Sequence, residues 1–242
     1  MNLKQSVEGK TRPCPKKWIG VLSGGLLALV LLAWQPAGAT TDTIEMHRYT
    51  ETTENHRQKI QWRLERSADY LLTSTMTDEI SICTIDQSYN TRQWQIQRLD
   101  QDTHLTARRE DQAIHVSGRL EGADIQRTLK IDNDPWYQAG SLSLRAFVQS
   151  AEAETHFWIL RPGKFTAHKL QAVREGLETL EVDGRSVETH KIKVCLTGWK
   201  APFWSATYWF RAEDGVFLRY QGASGPPGSP ETVVEWVPGS DG

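Results

Sequence analysis

The side chains able to do chemistry are spread thinly along this chain. The seven histidines, His47, His56, His104, His115, His156, His168 and His190, include no pair at i, i+2 or i, i+4. Zinc and copper sites ordinarily show at least one such pair, so no metal is expected. Asp132-Asn133-Asp134 offers oxygens that calcium accepts, but Pro135 and the missing downstream glutamate break the EF-hand spacing, and the tripeptide reads as a turn. No Gly-x-Ser-x-Gly elbow and no phosphate-cradling loop followed by lysine is present. Cys195 sits between Val194 and Leu196 in a strand-like run, which suits packing or bridging better than an activated thiolate. We therefore expect no enzyme and no cofactor. Spatial pairing of carboxylates is invisible in a sequence, so a small hydrolase stays open as a third reading.

Aromatic residues are the stronger signal. Trp199, Phe203, Trp204, Tyr208 and Trp209 crowd into one short stretch. On a strand, Trp204 and Tyr208 would share one face and Phe203 and Trp209 the other. Both faces can be buried only if each is covered, by the protein's own core or by a ligand or partner. Leu144, Phe147 and Val148, at helical spacing, together with Trp204 and Trp209, are the expected lining of a site for an apolar ligand.

The elements that must position these residues are strands. Ile60, Trp62 and Leu64 alternate with Gln61 and Arg63, and Trp94 and Ile96 alternate with glutamines, the period-two pattern of a half-buried antiparallel strand. Candidate strands lie near 44–51, 57–66, 69–76, 79–86, 91–99, 103–109, 112–118 and 124–131. Asp132 to Pro135 then makes a turn, and Ser141 can cap a short helix ending near Gln149. Further strands follow near 154–160, 164–174, 177–182, 185–196, 203–211, 216–221 and 231–237. Asp183-Gly184 and Asp214-Gly215 are hairpin signals. Gly222 to Pro230, rich in glycine and proline, reads as a flexible loop. The expected fold is mainly β: a strongly curved antiparallel meander, an open or half barrel, with one central plug helix.

The first 39 residues read as a signal peptide. Lys16 and Lys17 precede an apolar run from Trp18 to Ala33, and Ala37-Gly38-Ala39 is a small-x-small cleavage site. The rival reading is an uncleaved anchor, since the run is only slightly short of a membrane span. Thr40, where a lipoprotein needs cysteine, argues against lipidation. Residues 40–242 are expected to form a single β-rich exported domain with no permanent membrane anchor once cleaved. The leader carries a net +4, which turns the whole chain's −2 into −6 for that domain. An acidic domain without a basic block has no electrostatic footprint for nucleic acid. Cys83 and Cys195 are the thiols left after cleavage, and an oxidising compartment would allow a disulfide; the alternative is two buried free thiols.

Gly163-Lys164-Phe165-Thr166-Ala167-His168-Lys169, the Val182-Asp183-Gly184 turn, and Tyr208-Trp209-Phe210 followed by Asp214-Gly215-Val216-Phe217-Leu218-Arg219-Tyr220 give the second half its character. With the long meander and plug helix, they resemble the lipoprotein-localisation superfamily, the half-barrel fold of periplasmic carriers and envelope regulators. The second half looks closest to an uncharacterised periplasmic domain family of that shape. The resemblance implies a curved sheet wrapped around a helix, with an apolar hollow that receives acyl chains in carrier members. The expectation is thus a periplasmic protein of a Gram-negative envelope that binds an apolar ligand. The alternative is a protein interaction module in envelope assembly or regulation, docking a partner through a free sheet edge or the aromatic strand.

Overall fold

Alternation of apolar and polar residues dictates strands whose inner face is buried, and a computed structural model, describing residues 43–161, 164–223 and 229–239, bears this out. The expected leader with Ala37 and Ala39, and residues 224–228 of the Gly/Pro stretch, lie outside the described residues. The first half comprises β1 (Thr43–Thr53), β2 (His56–Arg66), β3 (Tyr70–Thr75), β4 (Glu79–Ile85), β5 (Thr91–Arg98), β6 (Thr103–Glu110), β7 (Ala113–Leu120) and β8 (Ala123–Lys130). Two short helical turns follow, α1 (Gly140–Ser143) and α2 (Arg145–Gln149). The second half holds β9 (Glu154–Arg161), β10 (Thr166–Val182), β11 (Arg185–Leu196), a 3-10 segment (Gly198–Phe203), β12 (Ser205–Arg211), β13 (Phe217–Ala223) and β14 (Glu231–Trp236).

All fourteen strands belong to one antiparallel sheet in the order β8-β7-β6-β5-β4-β3-β2-β1-β14-β13-β12-β11-β10-β9. Two meanders therefore meet where β1 pairs β14, Tyr49 opposite Trp236. The sheet is not closed into a barrel; β8 and β9 are its edges, and the chain between them carries the helical turns across the inner face. Tyr137 N donates to Trp158 O at 2.9 Å and Trp158 N to Pro135 O at 2.7 Å, so this connector covers the β9 edge. Around Trp158 the backbone groups of that edge are thereby paired.

The connector divides the interior into two packed clusters. One gathers Leu64, Leu72, Ile85, Trp94, Ile114 and Val116 against Trp136, Leu142, Leu160 and Phe165. The other gathers Tyr49, Ile60, Phe157, Ile192, Phe210 and Phe217 around Leu144, Phe147 and Val148. A helix with a single apolar stripe is held by burying that stripe, and here both flanks of the connector are used.

Several local expectations are corrected. Ser141 caps nothing; Ala139 holds the N-cap position without a side-chain hydrogen bond, and the helix breaks at Leu144 into two turns. The strands expected at 164–174 and 177–182 are one continuous β10, carried past its irregularity by a bulge between Arg174 and Gly176, where Gly176 has φ of 123°. Phe203 lies in the 3-10 segment rather than on a strand. Gly222 and Ala223, expected in the loop, extend β13: Gly222 pairs Ala206 and Thr232. A Cβ on Gly222 would meet Ala206 Cβ at 2.5 Å, so the missing side chain is what lets the strands close there.

Candidate functional site

The inner face of the sheet is not filled everywhere. Ile60 and Trp62 of β2, Leu72 and Ser74 of β3, Met76, Glu79, Ser81 and Cys83 around β4, and Trp94 of β5 form one wall of a cavity of ≈ 270 Å³. Ile159, Tyr208, Phe217, Tyr220 and Val234 form the opposite wall, and residues 138–141 of the connector lie between. The two walls come from the two meanders, brought together by the β1–β14 pairing.

This lining is dominated by aromatic and aliphatic side chains, and most of its polar groups are already engaged. Trp94 Nε1 donates to Ser81 Oγ at 2.7 Å. Arg98 pairs with Glu79 at 2.7 Å. Gln138 Oε1 accepts from Trp136 Nε1 at 3.0 Å and Leu160 N at 2.9 Å, while its Nε2 donates to Leu160 O. The Tyr208 hydroxyl lies 3.7 Å from where a Cβ on Gly140 would stand, and it makes no hydrogen bond among the described residues. Burial, and then Tyr220 beside it, push the Tyr208 phenol above its ordinary range; burial, and then the charge of Glu51, push Tyr220 up to about 12. Both are neutral donors at any physiological pH.

Near the start of β1, another cavity of ≈ 290 Å³ is lined by charged groups. Glu45 there accepts from His47 at 3.3 Å and pairs Arg66 at 2.5 Å and Arg145 at 3.7 Å. The His47 hydrogen bond, then the two guanidinium charges, hold the Glu45 carboxyl at about 2 against an opposing burial penalty. Arg211 answers Asp214 at 2.9 Å. A third cluster locks the connector: Asp132 accepts from Trp158 Nε1 at 2.7 Å and from Lys169, which also pairs Asp134 at 2.7 Å. The tripeptide is thus a turn held by a lysine, and among the described residues no three histidines, cysteines or carboxylates are grouped to hold a metal ion.

None of the five expected lining residues borders the hollow. Leu144, Phe147 and Val148 are 0, 4 and 3% exposed and fill the second cluster. Trp204 packs at the margin of that cluster and donates its Nε1 to Ala223 O at 3.1 Å. Trp209 is on the other face of β12, its Nε1 donating to Glu178 at 3.1 Å between the cations of Lys191 and Arg219. Of the residues that do border it, Trp62 shares the parity of the Ile60-Trp62-Leu64 run, while Phe217 and Tyr220, three apart on β13, both border it across the register shift at Trp209/Phe210. Parity could have found Trp62, but not Phe217 and Tyr220 together, because the register shift on β12 and β13 is not visible in the sequence.

Of the two alternatives, free thiols are found: Cys83 is buried on β4 and Cys195 half-buried on β11, with six strands between them in sheet order. Burial pushes the Cys83 thiol up to about 12, the state of an inert packing residue. No described helix is long and apolar enough to cross a membrane.

Superposed on solved structures, the chain matches a β-barrel-like protein of the domain of unknown function DUF1849 from Brucella abortus, with TM-score 0.54 and 9% identity over 80% of this chain and 95% of that one. The two share a fold. The hypothetical lipoprotein YmcC from Escherichia coli is a more distant likeness, with TM-score 0.39 and 13% identity over 80% of this chain and 86% of that one. So is a LolA superfamily protein from Nitrosomonas europaea, with TM-score 0.26 and 5% identity over 81% and 83%. No family model and no curated protein matches the sequence. The half-barrel shape expected from the hairpin motifs is the shape found.

Proposed function

We propose that this chain is an exported, non-catalytic envelope protein that holds an apolar ligand, a lipid or acyl chain, in the hollow of its curved sheet. The observation that carries this reading is a cavity of ≈ 270 Å³ walled by Trp62, Trp94, Tyr208, Phe217 and Tyr220, with Met76 and Leu72 beside them. Apolar, aromatic walls with few polar groups are the ordinary make-up of a small-molecule site. The lining carboxylate Glu79 is neutralised by Arg98, and the lining thiol Cys83 is held protonated, so neither is poised as base or nucleophile.

Binding of the neutral apolar dye N-phenyl-1-naphthylamine tests the reading. Saturable binding near one dye per chain, weakened by Trp62→Ala in a protein that keeps its circular dichroism, supports it; no saturable binding to the folded protein overturns it.

A second reading, a module that docks another protein, is favoured by one surface. Trp199 is 78% and Phe203 53% exposed on the 3-10 segment, edge-to-face at 5.9 Å. An exposed aromatic pair is the kind of feature that marks an interaction surface. Loss of a cross-linked envelope partner on Trp199→Ser, with the hollow empty, would move the assignment there.

A further inference from the structure

Resting on the apolar-ligand reading, the charge inventory of the hollow goes further, to the kind of head group the ligand carries. Among the residues bordering the cavity there is no lysine, arginine or histidine. Its one acid, Glu79, already has Arg98 at 2.7 Å. Cations do line two other cavities, Arg66, Arg145 and Arg211 in that of Glu45, and Arg57 and Arg219 in that of Leu180 and Asp183.

An ionised head group drawn into the hollow would therefore have no counter-charge. Burying such a group unpaired is among the largest penalties a site can impose. A neutral polar group faces no such barrier. It meets the Tyr208 hydroxyl, which lies against Gly140, has no partner among the described residues, and can donate or accept. Ser74 and Ser141 border the same space, and their hydroxyls make no side-chain hydrogen bond among the described residues. The cavity, ≈ 270 Å³, lies just below the ~300 to 1,000 Å³ usual for ligand sites, which suits one chain rather than several.

We propose that the hollow selects uncharged single-chain amphiphiles, long-chain alcohols or esters, over ionised fatty acids, with the Tyr208 hydroxyl as the polar anchor. A head group hydrogen-bonded there lies within the apolar walls, and the ligand is recognised by what its head lacks as well as by its chain.

Displacement of N-phenyl-1-naphthylamine by dodecanol and by dodecanoate tests this on the purified protein at about pH 8, far above the ordinary carboxylate range near 4. Dodecanol should displace the dye at a concentration lower by about tenfold or more, the scale of an unpaired buried charge. Tyr208→Phe should weaken dodecanol roughly threefold to tenfold relative to the dye measured on the same variant, the worth of one hydrogen bond. Dodecanoate binding as tightly as dodecanol overturns the selectivity. An unchanged dodecanol affinity in the folded Tyr208→Phe protein overturns the anchor. Failure of the dye and of both amphiphiles to bind overturns the apolar-ligand reading itself, and this inference with it.

Discussion

Tyr208 and Trp209 are neighbours on β12 and serve opposite faces of the sheet. Tyr208 borders the hollow with its ring 6.2 Å from Phe210 and stacked at 10° to it. Trp209 is clamped outside, with Lys191 and Arg219 5.8 and 5.4 Å from its ring and Glu178 on its indole nitrogen. One residue step therefore separates the lining of the hollow from the outer face of the sheet.

Trp209→Phe should accordingly be a stability variant only. It removes the indole hydrogen bond and weakens the cation–π contacts, a loss of about 1 kcal/mol, and leaves dye affinity as it was. Thermal melting and dye titration of the same sample check this; a weakened dye with an unchanged melting temperature would put Trp209 in the site.

Phe147 and Trp62 should separate in the other sense. Phe147 is a buried core residue, and Phe147→Ala should cost about 3 to 5 kcal/mol in urea unfolding. Trp62 is only partly buried between the core and the cavity, so Trp62→Ala should cost less and lose dye binding. Equal destabilisation by the two variants, with dye binding retained by Trp62→Ala, would contradict the position given to the hollow.

Glu45 sets a pH dependence. Its folded carboxyl is held at about 2, below the ordinary 4.5, so the unfolded chain takes up the proton more readily. The stability it contributes is fully present above about 4.5 and is lost as the pH falls through about 2. Glu45→Gln also leaves the buried Arg145 short of its partner, and should cost about 1 to 3 kcal/mol at neutral pH, discounted from the cost of breaking a fully buried pair. The gap between variant and parent should shrink towards zero near pH 2, read from melting temperatures across the range; a gap independent of pH would refute the linkage.

The cysteines should label independently. Native protein treated with an alkylating agent should leave Cys83 unmodified, and denaturation without reductant should expose both thiols to it. Peptide mapping assigns each label to Cys83 or Cys195, apart from Cys14 of the expected leader. A protein that labels at neither site until a reductant is added would carry the bridge that the structure lacks.

Gly222→Val should destabilise the sheet, because a Cβ there would overlap Ala206 Cβ at 2.5 Å and Ala206 Cα at 2.9 Å. Overpacking of this kind costs about 1 to 3 kcal/mol. A melting temperature equal to the parent's would show that β12 and β13 can part at little cost.

Much of the fold was legible because alternation is a local property. Trp94 and Ile96, or Ile60 and Leu64, declare a buried face without reference to any distant strand. The Asp183-Gly184 turn was legible for the same reason, and both residues have the positive φ that its tight hairpin needs, 52° and 71°. The site was not legible, because a cavity is the space left over after two meanders meet. Whether Tyr208 or Trp209 faces it depends on the pairing of β12 with β11 and β13, and whether Phe147 lines it or fills it depends on where the connector crosses. The helical stripe of Leu144, Phe147 and Val148 correctly marked a buried element, but burial in the core is what removed those residues from the site.

The central claim is that the hollow holds a ligand, and native mass spectrometry of the protein purified from the envelope of its producing cells tests it most directly. The account predicts a stoichiometric adduct of one small apolar molecule, extractable by organic solvent and lost in a folded Trp62→Ala variant. A clean unliganded mass, with no adduct formed on incubation with a lipid extract from the same cells, would contradict it.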